Sequence, residues 1–340
     1  MTRHSLALAA ALLLAACAGA PEPLADLQPG ERPELSSDEA GLWMRMDAVE
    51  NKLKTSGHVV DDPKLNAYIR SVTCRLSPEY CKHLRLFIVQ TPHFNASMSP
   101  NGTMQVWSGT LLRVQNEAQL AYILGHEMAH YIRRHSVQKW RSIRRKSDGM
   151  AFFTVTTRMA GLGFVGDLAD LASMASVMAF SRDHERESDD IGFDLMVKAG
   201  YAAAEAPKTW QALLAESNAD GEEKEKPSVF FASHPAIEER VGTLQAKTAA
   251  HAGQGDAGRK PYVNAVKRFR RDWLRDELRK RDFAGTRVVL ANLAAAGHPA
   301  GDIKFFEGEL YRLRGDDGDL KEAIAAYRAA IKAKRAPAEL

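Results

Sequence analysis

Cysteine is nearly absent: Cys17, Cys74 and Cys81 are the only three in 340 residues. That excludes a disulfide-dense scaffold, and it excludes a zinc site built from four thiolates. Long apolar runs are missing too. The run at residues 6–16 is too short to cross a bilayer as a stable helix. In the apolar, small-residue stretch 150–180, Arg158, Asp167 and Asp170 interrupt every window long enough to do so. Charge of one sign is also scarce, because 46 Lys and Arg against 43 Asp and Glu leave a net charge of +3. A chain so balanced has no mandate for nucleic acid as a partner. The basic run Arg133, Arg134, His135, Lys139, Arg141, Arg144, Arg145 and Lys146 reads as a solvated helix face.

What is present begins with the amino terminus. A short basic region (Arg3, His4) precedes an apolar run, so residues 1–16 read as an export signal. Its end, Leu14-Ala15-Ala16-Cys17, resembles the lipobox of bacterial lipoproteins. The resemblance implies acylation of Cys17 and a membrane attachment through lipid; Ala18, in place of an acid, implies the periplasmic face of the outer membrane. Residues 17–37, with prolines, glycines and little apolar content, read as a flexible tether. In an oxidising compartment Cys74 and Cys81, with Ser77-Pro78 breaking any helix between them, are a disulfide candidate.

The composition, 45% hydrophobic over 340 residues, supports a sizeable core and two domains. Apolar stripes predict helices over residues 38–53 (Leu42, Trp43, Met46, Val49, Leu53) and from Asp62-Pro63 onward (Leu65, Tyr68, Ile69, Val72). Residues 84–89, 96–98 and 103–107 read as strands, the last two joined by a turn at Pro100-Asn101-Gly102. The expected class is therefore α+β, mostly helical with a small sheet. Asn95, Ala96 and Ser97 are candidates for an edge strand that pairs with an extended peptide through its main chain.

The chemistry concentrates at His126-Glu127-Met128-Ala129-His130. Leu120, Ile123, Leu124, Met128, Tyr131 and Ile132 recur at helical spacing, and only Gly125 interrupts the run 116–135, which reads as one helix. Residues four apart share a helix face, so the two imidazoles converge on a point that can hold Zn2+, with Glu127 beside it as a proton acceptor. Two histidines need a third ligand. Residues 181–189 carry Asp183, Glu185, Glu187 and Asp189 on a second helical pattern ending at Gly200. Glu185 and Asp189, four apart, could supply one ligand and one acceptor for an imidazole N–H, but spacing alone does not choose among the acids.

Several pieces combine into a family pattern. His126-Glu127-x-x-His130, Ser181-Arg182-x-x-Glu185-x-x-Ser188-Asp189 running into Ile191-Gly192, and His234-Pro235 with Arg240, together with Asn95-Ala96 and Pro100-x-Gly102, resemble the gluzincin peptidases that include the CAAX prenyl endopeptidases, peptidase family M forty-eight. The likeness runs over residues 61–244. It implies a zincin-type fold and one Zn2+ per chain held by His126, His130 and Glu185. It also implies Asp189 behind the ligands, Glu127 as catalytic base, and His234 near the metal, either stabilising the oxyanion or capping a latent site. Ser188 stands where that family usually has Ala, and Ser97 where it has an aromatic or similar residue.

Residues 251–262 read as a linker, and 263–340 as helical. Phe305-Phe306-x-Gly308-x-x-Tyr311 with Ala323-x-x-x-Tyr327-x-x-Ala330 resembles a tetratricopeptide repeat, with a gap three residues too long, and implies a surface for a protein partner. The expectation is a zinc metallopeptidase domain over 38–250 and a TPR-like helical domain behind it. Together they form a metalloendopeptidase of the cell envelope acting on unfolded or misassembled envelope proteins. The rival is an outer-membrane chaperone or scaffold with a His-capped zinc site.

Overall fold

The computed structural model describes residues 24–145, 179–219 and 229–333. The expected signal peptide, Cys17 and most of the apolar stretch 150–180 lie outside the described residues. Among those described, no helix is long and apolar enough to cross a membrane.

A three-stranded sheet forms one wall: β1 (Arg85–Val89), β2 (Ala96–Met98) and β3 (Thr103–Trp107), in the order β1-β3-β2. β1 runs parallel to β3, and β2 runs antiparallel to it with Ser97 opposite Gln105. The turn between β2 and β3 needs Gly102, whose φ is +86° and whose position would bring a Cβ within 3.0 Å of the His83 carbonyl oxygen. The Trp107 amide donates to Asn95 O and the Ser99 amide to Thr103 O, so residues 95, 97 and 99 turn their main-chain groups toward β3. Alternation then directs those of Ala96 and Met98 to the free edge.

Ahead of the sheet, α1 (Asp38–Lys54) starts at Ser37, whose hydroxyl accepts from the Ala40 amide, and α2 (Pro63–Leu76) starts at Asp62, whose carboxylate accepts from Leu65 with Pro63 in the first turn. α3 (Pro78–Cys81) follows, and Cys74 and Cys81 are disulfide-bonded with 4.7 Å between their Cα atoms. After β3 come α4 (Ser108–Arg113) and the central α5 (Glu117–Ile132), capped by Asn116 and buried on every side up to Tyr131. A helix with no solvated face has to run through the middle of a core, and α5 does.

The helix expected to continue to His135 is broken. Arg133 caps α5, Arg134 takes φ +56°, and α6 (His135–Arg145) leaves in a new direction. Ion pairs hold the bend: Arg133 with Asp26 and Glu187, Arg134 with Glu39. The basic run is therefore partly consumed by acids of neighbouring elements.

Beyond residues 146–178 stand α7 (Arg182–Lys198), α8 (Glu205–Ser217), α9 (Val229–Ser233) and α10 (Ile237–Thr248), then α11 (Arg259–Val266), α12 (Arg270–Arg279), α13 (Phe283–Ala295), α14 (Ala300–Arg314) and α15 (Asp319–Lys332). Two segments expected to be flexible are pinned. The described part of the tether docks at Leu27, which is buried, donates its amide to Ile132 O and accepts from the Tyr80 hydroxyl. In the expected linker the Asp256 amide donates to Gly200 O, Asp256 O accepts from Ala202, and Ala257 O accepts from Ala118. One apolar cluster accordingly runs from Leu27 through α5 to Ala330. Buried Arg113 of α4 ties the parts together, pairing with Glu216 of α8 at 2.6 Å and with Glu277 of α12 at 2.9 Å.

Candidate active site

The site is made where α5 crosses α7. At the crossing both helices carry glycine: a Cβ on Gly125 would lie 3.0 Å from Gly192 O, and a Cβ on Gly192 would lie 2.7 Å from the His126 backbone nitrogen. Backbone thus meets backbone, and the first two turns of α7 come down onto the histidine face of α5. Glu185 is fully buried there and Asp189 nearly so, whereas the Glu187 side chain is 37% exposed. The choice among the acids that spacing left open is made by this contact.

His126, His130, Glu185 and His234 offer ligand atoms that all lie within 4.8 Å of one another. A tetrahedral zinc with bonds of about 2.0–2.2 Å keeps its ligand atoms about 3.3–3.6 Å apart. Here His126 Nε2 and His130 Nε2 are 3.1 Å apart, His130 Nε2 and Glu185 Oε1 3.4 Å, and His126 Nε2 and Glu185 Oε2 3.6 Å. His234 Nδ1 stands 3.4 Å from His126 Nε2 and 3.0 Å from Glu185 Oε1, at the fourth vertex. The donors, imidazole nitrogens and one carboxylate, are those zinc accepts, so the residues fit the ion. His234 enters the site from the loop after α9, stacked on Phe230 at 4.4 Å between ring centres.

Charge states agree with that fit. Burial lowers the pKa of His126, and that of His130 well below the ordinary value, so both rings are neutral with lone pairs to give. Burial opposes ionisation of Glu185, but His234, Arg240 and His130 outweigh it and hold the carboxyl well below the usual range. Glu127 is different. Burial pushes it up to about 7, only partly opposed by His234, and its Oε1 is buried without a hydrogen-bond partner 3.8 Å from His234 Nε2. A carboxylate that takes and returns a proton near neutral pH matches that position.

Behind the ligands, Asp189 accepts from His126 Nδ1 at 3.0 Å, fixing the tautomer that leaves Nε2 free. Burial opposes the Asp189 charge, and Arg240 more than compensates through bonds of 2.6 and 2.7 Å. Arg240 also reaches Glu185 Oε2 at 2.6 Å. The Tyr122 hydroxyl donates to Asp189 and receives the Trp210 indole N–H. Arg240 stood in the sequence motif without a role; Tyr122 and Trp210 had no signal beyond being aromatic.

The expected edge strand lies at the cleft. Asn95, Ala96 and Ser97 all line it, together with Glu127 and His234. Of the three, Ala96 turns its main chain to the free edge, with Met98, whose backbone N–H supports the Glu127 charge. Asn95 spends its amide and carbonyl on Thr110 and Trp107.

Burial of imidazoles makes the metal-free protein acid-sensitive. His126, His130, His135 and His298 are each less than a tenth exposed, and burial lowers all four, the last two to about 4. A lowered histidine binds protons more readily when unfolded, so its contribution is intact above about pH 6.5 and is lost as pH falls below it, by about 1.4 kcal/mol per pH unit per group. His234, raised by Glu185 and Glu127 against the effect of burial, and Glu127, raised by burial, work in the opposite direction, two groups against these four. Thermal melts of the chelated chain should show the midpoint nearly level above about pH 6.5 and falling steadily from there to about pH 5. A flat profile would contradict the assignment of neutral buried rings.

Two neutral imidazoles, one anionic carboxylate and a buried, protonatable glutamate around a single point define a metal-dependent hydrolase. Residues 61–248, more than half of the chain, match the family Peptidase family M48, and the chain belongs to it. Among similar proteins are a putative beta-barrel assembly-enhancing protease of Vibrio cholerae, 26% identical over 249 residues covering 67% of this chain and 50% of that protein, and the mitochondrial metalloendopeptidase OMA1 of Schizosaccharomyces pombe, 30% identical over 161 residues covering 47% and 45%. The metalloprotease YcaL of Escherichia coli is 28% identical over 163 residues covering 48% and 61%. The chain spans about half the length of the first two of these curated relatives.

Proposed function

We propose that the protein is a zinc-dependent endopeptidase of the cell envelope that hydrolyses peptide bonds of unfolded or misassembled envelope proteins. The observation that carries this is the tetrahedral spacing of His126, His130, Glu185 and His234 with Glu127 beside them at the foot of a cleft. Bound zinc supplies Lewis acidity toward the scissile carbonyl and toward water. Glu127 takes a proton from the attacking water and returns it to the leaving amine. Ala96, through its amide and carbonyl, and Met98, through its carbonyl, offer edge-strand groups that hold an extended chain in register.

The class of substrate is supported by the cleft itself. Leu42, Met46 and Val49 of α1 line it beside the catalytic groups, in a cavity of about 100 Å3. A large apolar side chain suits that lining, and such side chains are reachable mostly when a protein is unfolded. The relatives named for beta-barrel assembly support an envelope setting, as does the lipobox-like Leu14-Ala15-Ala16-Cys17, from which we infer lipid anchorage at the periplasmic face of the outer membrane. The C-terminal helices are the surface proposed for a protein partner, with Leu320, Ile324 and Ile331 exposed along one side of α15.

A second reading, a site latent at rest, is favoured by one observation. His234 at the fourth vertex fills the position that a catalytic zinc keeps open. Purified full-length chain incubated with a reduced, unfolded protein should cleave it, lose cleavage on chelation and regain it with zinc. His234→Ala should cleave faster if the ring caps the site. Absence of cleavage by both proteins with zinc bound would overturn the peptidase reading in favour of a chaperone or scaffold.

A further inference from the structure

The His130 ring has a second neighbour with no assigned role. Its Nε2 faces the other ligand atoms, and its Nδ1 lies 3.0 Å from Nδ1 of His135. The remaining ring nitrogen of His135, Nε2, lies 2.9 Å from Glu187 Oε2. We propose that His135, backed by Glu187, is a positioning residue that fixes the tautomer and ring plane of the metal ligand His130. The proposal rests on the zinc peptidase reading above.

Proton placement along this row has one consistent solution. A ligand bound through Nε2 carries its proton on Nδ1, so His130 donates and His135 Nδ1 accepts. His135 then carries its own proton on Nε2, where a carboxylate that can only accept is waiting. Reversing the row would put a proton on His130 Nε2 and block the metal. Ser188 Oγ, 3.3 Å from His135 Nδ1, is a weaker donor to the same lone pair, and it leaves the direction unchanged. The two ligand imidazoles are thus served alike: His126 by Asp189 directly, His130 by Glu187 through an intervening ring.

The backbone is shaped to make the contact. Residues five apart on an unbroken helix lie about 140° round from each other, so their rings cannot meet. Here the chain leaves α5 at Arg133, passes through Arg134 at φ +56°, and returns His135 to a site only 1% exposed against His130. A left-handed arginine is a strained choice that the surroundings have to enforce. The Glu39 pair with Arg134 and the 2.7 Å bond from Arg133 to Glu187 Oε1 do so. Stacking fixes the ring planes: Phe180 lies on His130 at 3.9 Å and His184 on His135 at 4.1 Å between centres.

The test uses full-length His135→Phe, His135→Gln and Glu187→Ala. Zinc affinity is read by competition with a chromogenic chelator, the cobalt-substituted form by its absorption spectrum, and the fold by thermal melts of metal-free protein. Phe and Ala variants should lose about 10- to 100-fold in zinc affinity and alter the cobalt bands. Gln, whose amide oxygen accepts from His130 Nδ1–H, should recover most of the loss. Wild-type zinc affinity in His135→Phe and Glu187→Ala would overturn the relay, and so would failure of Gln to rescue. If His135→Phe does not fold, Glu187→Ala decides, because that side chain is partly exposed. A wild-type chain that binds no zinc would overturn the peptidase reading, whereas a wild type that binds it no better than His135→Phe overturns the relay alone.

Discussion

Glu127→Gln should leave zinc bound and lower cleavage of an unfolded substrate by about 10²- to 10⁴-fold, the range for removing a positioned general base. The carboxylate sits 2% exposed next to the ligand group, and it is not itself counted among the ligand atoms. Glutamine has the same shape and keeps an oxygen that can accept from the Met98 amide, so substrate placement survives while proton transfer does not. Burial already disfavours the charge at this position, pushing the carboxyl up to about 7, so the neutral variant should be at least as stable as wild type. Zinc stoichiometry, a thermal melt and single-turnover cleavage check the three parts separately. A variant that cleaves at the wild-type rate would remove Glu127 from the reaction.

How much of this is legible in the sequence depends on the range of the interaction concerned. The apolar period of α5 and the four-residue spacing of His126 and His130 are local, and both are legible in the sequence. So are the three strands, because alternation and the Pro100-Asn101-Gly102 turn act over a few residues. Identity of the third ligand was not local. Glu185, Glu187 and Asp189 lie on one short stretch of helix, and what separates them is how α7 rotates against α5, which the Gly125–Gly192 contact sets. Only the family resemblance chose Glu185 from sequence.

The same distinction explains what was misread. By charge alone His135 belongs to a basic run; the left-handed Arg134 that brings it back to His130 answers to Glu39, ninety-five residues earlier. Residues 251–262 were read as a linker from their glycines. Those glycines serve a fixed path instead: Gly255 and Gly258 take φ of +83° and +63°, and the intervening main chain hydrogen-bonds to the stretch after α7 and to the start of α5. Composition reports conformational freedom in the unfolded chain, not whether folded neighbours use it up.

The second large effect concerns the glycine that no ligand list would include. Gly192→Val should cut zinc affinity by at least about 100-fold and destabilise the chain by about 1–3 kcal/mol or more. A Cβ there would lie 2.7 Å from the His126 nitrogen and 2.9 Å from its Cα, and these are backbone atoms that no rotamer change can move aside. α7 therefore has to shift away from α5, and it carries Glu185 and Asp189 with it. Both carboxylates are then displaced from the imidazoles they serve, so ligand and tautomer control fail together. Gly125→Ala is milder, since its Cβ meets the Gly192 carbonyl oxygen at 3.0 Å, a contact a few tenths of an ångström could relieve. Gly242→Ala on α10 is the control: nothing lies within 4 Å of the added Cβ, and a helical Gly to Ala change in open space should leave zinc binding unchanged and stability equal or higher. If Gly192→Val bound zinc as tightly as Gly242→Ala, the metal set would not depend on the crossing of the two helices, and the origin argued here for the third ligand would fail.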